Sequence, residues 1–159
     1  RVDLPLLKAP DMPADAPRRF QAMPLLRVGT YADWQELSRS MFPHFDSAAA
    51  ITPGSPLDGE VKRIMAASSD PLERAALAVR AVQDDISYLL NGLAGGNYLP
   101  QTAEDTWAKR FGDCKAKSVL LTAMLRRMGI AAEPALVSMY NGDAVPTLLP
   151  IPGVFDHMI

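Results

Sequence analysis

The sequence predicts an α+β domain in which helices pack on a small antiparallel sheet. Three observations carry this expectation. Helix-start signals recur through the middle of the chain, apolar residues follow them at helical spacing, and runs of strand character come after the last helix.

Composition fits one folded domain. The 159 residues are 48% hydrophobic and 21% charged, which is a globular rather than a disordered balance. A chain of this size buries roughly 70% of its unfolded surface and needs no disulfide or metal to fold. Sixteen basic against eighteen acidic residues leave a net charge of −2, and the basic residues are scattered, so there is no footprint for nucleic acid. One cysteine excludes an internal disulfide, and with only two histidines no structural zinc spacing exists. No cofactor motif is present, and no apolar run is long enough to span a bilayer. Both ends read as cut, with no initiator methionine and a last strand interrupted at Ile159.

Five prolines fall within residues 1–24, each fixing its own φ and pushing its predecessor away from the helical region. That segment should be extended, with a short strand over Leu25 to Val28. Thr30 with Asp33 resembles a capping box for a helix through Trp34, Leu37 and Met41, which Pro43 should end. Residues 1–50 therefore read as a linker or the tail of a preceding domain, and residues 51–159 as the core. Pro56 opens a short helix through Val61, Ile64 and Met65. Asp70-Pro71-Leu72-Glu73 is a stronger start, followed by a stripe of Leu77, Val79, Val82, Ile86 and Leu89 that ends at Asn91-Gly92 and Gly95-Gly96-Asn97. Thr102 with Asp105 caps a helix through Trp107 and Phe111, stopped by Gly112. The next helix should start at Asp113 or Cys114 and run to Met128, with Gly129 after it. Strand character over Ala131 to Met139 and a final apolar strand from Val154 complete the chain.

Cys114 is the informative residue. A lone cysteine is usually a small hydrophobe in a core. Here Gly112 permits a sharp turn, and the thiol falls in the first turn of a helix, where free amides and the helix dipole favour negative charge. Cys114, Ser118, Leu121, Leu125 and Met128 share one face, expected to point to the core. A thiolate nucleophile needs an imidazole partner. His157, on the final strand, is the better candidate; His44, beside Pro43, reads as an exposed helix-end histidine. The backbone N–H of Cys114 is a natural oxyanion donor. Trp107, seven residues before Cys114, is a candidate to line the cleft or donate its indole N–H near an oxyanion, though packing against the core is the commoner role for such a residue. Lys115, Lys117, Asp84-Asp85 and Arg126-Arg127 read as solvated faces.

The stretch Tyr98-Leu99-Pro100-Gln101-Thr102-Ala103-Glu104-Asp105-Thr106-Trp107 and the Phe111-Gly112-Asp113-Cys114-Lys115 turn resemble the transglutaminase-like superfamily of cysteine enzymes. So do the leucine-rich helix ending in Met128-Gly129-Ile130 and the closing Phe155-Asp156-His157-Met158-Ile159. The likeness covers residues 70–159 and is nearest to bacterial proteins in which a β-rich domain of unknown function precedes this core. The resemblance implies a papain-like arrangement with Cys114 as nucleophile and His157 as general base and acid, and Tyr98 and Tyr88 resemble family positions near the cleft, where a structural role explains each as simply. It implies a protein or peptide substrate, acyl transfer at amide bonds through a thioester, with hydrolysis preferred and cross-linking left open by the sequence, and a bacterial periplasmic or envelope setting. The family's third member is an aspartate on a following strand, beyond Ile159. Asp156 is no substitute, because strand neighbours point to opposite faces, and Asp113 reads as a helix cap. The resemblance therefore implies impaired activity in this stretch of chain and self-association through an unpaired sheet edge. The competing reading is a non-catalytic binding or scaffold module that keeps the fold. A redox sensor is disfavoured, since no second cysteine can resolve the first.

Overall fold

A computed structural model describes residues 11–20, 26–89 and 98–159. Five α-helices dominate these residues: α1 (Trp34–Ala48), α2 (Pro56–Ala67), α3 (Pro71–Asp85), α4 (Ala103–Lys109) and α5 (Cys114–Arg127). Four two-residue strands accompany them: β1 (Ser87–Tyr88), β2 (Phe111–Gly112), β3 (Leu136–Val137) and β4 (His157–Met158). The class is α+β. No helix among the described residues is long and apolar enough to cross a membrane.

Capping explains where the helices begin. Ser55, Asp70, Thr102 and Asp113 each accept a hydrogen bond from a backbone N–H two or three residues ahead, and Pro56 and Pro71 sit in first turns. At α1 the cap is Asp33 with Glu36 rather than Thr30 with Asp33. Asp33 accepts from the Glu36 N–H at 2.7 Å, and the Glu36 carboxylate accepts from the Ala32 N–H at 2.6 Å. Pro43 does not end this helix. It lies on the exposed face, where water can take the carbonyl it leaves free, while Phe45 and Ala48 beyond it are buried and hold the last turn to the core. No strand forms at residues 26–28, where Leu26 and Val28 have almost no cover; Leu25 lies outside the described residues.

Helix α3 stops at Asp85, one turn earlier than its apolar stripe suggests, because Ile86 leads the chain directly into β1. The glycine-rich end expected at residues 91–97 falls outside the described residues. Helix α4 ends at Lys109, with Arg110 taking a left-handed conformation (φ 61°) that turns Phe111 and Gly112 into β2. The sheet is thus not one antiparallel unit. β1 and β2 pair in parallel, as a strand–helix–strand crossover through α4 requires, whereas β3 and β4 pair antiparallel with Val137 opposite His157.

Helix α5 is the centre of the fold and packs against α3, α4 and β4. Its buried face is Ala116, Val119, Leu120, Ala123 and Met124, and all but Ala116 join Val61, Ile64, Ala78, Val82 and Ile86 in one core. Asp58 on α2 is fully buried and holds the fold from within. It accepts from Arg127 Nε at 2.9 Å and from the Gly54 N–H at 2.8 Å, and pairs with Lys62 at 2.7 Å. Lys62 first, then these donors, hold its carboxyl far below the usual carboxylate range. Arg126 bonds the Ala132 carbonyl and pairs with Asp46 and Glu133. The two arginines expected on a solvated face are instead ties between separate parts of the chain.

Candidate active site

The site is built where β2 runs directly into α5. Gly112 is required there by space: a Cβ would come within 2.5 Å of the Ala116 Cβ and 3.3 Å of Thr106 Cγ2. Gly112→Ala is expected to cost about 1–3 kcal/mol through overpacking. The check is urea unfolding; an unchanged midpoint would mean that the turn has slack.

Asp113 then caps the helix, accepting from the Ala116 N–H at 3.0 Å, and Cys114 becomes the first helical residue. The N–H of Cys114 therefore has no intrahelical acceptor. Lys115, expected in solvent, is buried at 1% exposure and its amine pairs with Asp113. Lys117 is half-buried, and its Nζ donates to the Ile86 carbonyl at 2.6 Å. The face carrying Cys114, Ser118, Leu121 and Leu125 is not the most buried one. It forms a wall of a cavity of about 480 Å³.

His157 lines the same cavity from β4. The strand is fixed against the helix by the Ser118 hydroxyl, which donates to the Met158 carbonyl at 3.3 Å, and against β3 by paired bonds between Ala135 and Ile159 at 2.8 and 3.0 Å. Tyr88, Lys117, Val82 and Leu121 also line the cavity. Asp156 is turned elsewhere: its carboxylate accepts from the Met139 and Tyr140 N–H groups, both at 2.8 Å, and closes the turn after β3. The alternation of side chains along a strand separates it from His157.

The other candidates fall outside this cavity. Trp107 is buried in the core and stacks under the Arg110 guanidinium, 3.7 Å from ring centroid to Cζ. It borders a different hollow, with Ser55, Pro56 and Glu104. Tyr98 is half-buried, with its hydroxyl near Gly153. His44 is exposed on α1. No cluster of metal-ligating side chains occurs among the described residues.

Tyr88 is the residue that sequence reasoning undervalued. It lines the cavity together with Cys114 and stands opposite Gly112 across the parallel ladder. Lost hydration, then the negative charges of Cys114 and Asp113, push its pKa above the ordinary value. No local signal marks it: Tyr88 is brought here by the parallel pairing of two-residue strands on either side of α4.

A family model of the transglutaminase-like superfamily matches residues 60–145, more than half of the chain and all of the segment from α3 through α5. The chain belongs to the transglutaminase-like superfamily. No curated protein and no solved structure matches it. The match includes Cys114 and its turn and stops before β4, so His157 stands on the geometry of the cavity.

Proposed function

We propose that this transglutaminase-like chain carries a cysteine acyl-transfer site that cleaves amide or peptide bonds. The observation supporting this most is that Cys114 at the start of α5 and His157 on β4, 43 residues apart, line one cavity. In this reading His157 takes the thiol proton, and the Cys114 sulfur attacks the substrate carbonyl. The oxygen that becomes negative is met by the Cys114 N–H, an oriented donor that the helix leaves free. As the tetrahedral adduct collapses, the C–N bond breaks and the amine leaves with the proton held by His157, giving a thioester. Water attacks that thioester with His157 as base, which restores the thiol and releases the acid. A competing amine would give transamidation by the same steps, and the open cavity admits water.

Reaction with iodoacetamide at neutral pH tests the pairing without a known substrate. Native Cys114 should alkylate faster than the same thiol in the urea-unfolded chain, and His157→Ala should slow the native reaction on the order of 10-fold. Equal rates in the native wild type and the variant would remove His157 as partner. A native rate below the unfolded rate would favour a binding module with a structural thiol.

A further inference from the structure

The cavity that holds Cys114 and His157 extends well beyond them. Cys114, Ser118, Leu121 and Leu125 follow one another down a single face of α5, so the wall they form runs about 16 Å from the first of them to the last. Lys117 bonds the Ile86 carbonyl at 2.6 Å, which sets the end of α3 beside the start of α5. Val82 and then Val79 line the cavity from α3, running back from that end, and Met158 and Ile159 close it on the β4 side. The polar side chains at its border are already engaged. Lys117 holds the Ile86 carbonyl, Ser118 donates to the Met158 carbonyl at 3.3 Å, and Glu133 pairs with Arg126 at 3.0 Å. Away from the thiol and the imidazole, a space of about 480 Å³ is therefore bounded mainly by hydrocarbon. A peptide main chain laid along it would leave its amide groups out of water and without partners.

We infer that this cavity is an acyl-chain site, and that the amides cleaved at Cys114 carry a long apolar acyl group lying along α5 toward Leu125. The inference rests on Cys114 being an acyl-accepting nucleophile. A hydrocarbon chain suits these walls, because it leaves water along its whole length and asks for no hydrogen bond. Its one polar group, the carbonyl at its head, stays at the sulfur and the helix start, where a donor is free. Leu121 on α5 and Val79 on α3 bound the cavity beyond the first turn, and both are half-buried, so each keeps an open surface for a bound chain. They set the length of chain that fits, and the chemistry stays with Cys114.

The probes are p-nitrophenyl esters from acetyl to octanoyl, each read as its rate of acylating Cys114 divided by its rate with free cysteine. That division removes the intrinsic reactivity of the ester. Each added CH₂ is expected to raise the quotient roughly 2- to 4-fold until the cavity is full. Leu121→Trp and Val79→Trp block the cavity from separate helices, and each should lower the octanoyl-to-acetyl preference roughly 10-fold, the worth of about two buried methylenes. Alkylation by iodoacetamide, which carries no chain, checks that the thiol site is formed in each variant. Octanoyl should also outrun N-acetyl-leucyl, an acyl group of equal carbon count whose amide would be stranded. A quotient that is flat with chain length, or a preference that survives both blocks, overturns the inference. A faster N-acetyl-leucyl ester overturns it in favour of a peptide. The underlying reading fails differently: Cys114 would alkylate, yet no ester of any length would leave an acyl group on it, as seen by intact mass.

Discussion

His157→Ala is expected to cost far more on an anilide than on an ester. If His157 supplies a proton to the departing amine, its loss should reduce p-nitroanilide turnover by about 10²- to 10⁴-fold, the usual range for a positioned acid or base. A p-nitrophenyl ester of the same acyl group leaves as a stable phenolate and needs no such proton. Its rate should therefore fall only as far as the sulfur becomes less reactive. Cys114→Ala should remove both activities down to the buffer rate, because no other cysteine exists to replace it. Steady-state rates on the matched pair decide the matter. Equal losses on ester and anilide in His157→Ala would mean that the histidine acts on the sulfur alone, with the leaving amine protonated by water. The placement of His157 and Cys114 across one cavity makes the larger anilide loss the expected one.

The helix start that carries Cys114 was legible because its signals are local. A glycine that permits a tight turn, an aspartate that caps, and a cysteine in the next position specify a helix start whatever surrounds it, and α5 begins there. The same holds for Ser55-Pro56 and Asp70-Pro71. Several of the errors share a physical cause, which is that the deciding contact comes from far along the chain. Arg127 finds Asp58 across 69 residues, so nothing near either one reveals the pair. Pro43 looks like a stop until Phe45 and Ala48 are seen to be buried beyond it. Strands of two residues have no period to read, which is why the helical patterns on either side extend over β1 and β2. Tyr88 comes to line the cavity with Cys114 because those two short strands pair in parallel.

Lys115 is the clearest case of a charged residue whose place the local pattern misassigns, and its removal carries the largest expected loss of stability. Lysines in a first turn normally face solvent, yet this one is sealed in beside the cap aspartate, with both side chains at 7% exposure or less. Two charges out of water are tolerated because each offsets the other, and removing one strands its partner. Lys115→Met leaves the Asp113 carboxylate bonded to the Ala116 N–H but without its cation. The expected cost is about 3 kcal/mol, the lower end for a broken buried pair, which lowers Tm by roughly 6–12 °C in a domain of this size. The excess charge would also sit one residue from Cys114, so alkylation of the thiol should slow as well. Adding Asp113→Asn to Lys115→Met tests the cause. The amide oxygen keeps the cap while the stranded charge is gone, so the double variant should regain part of the lost Tm rather than fall further. Additive losses from the two changes would show that the pair does not act as a unit and that Lys115 stabilises the fold through its packing alone.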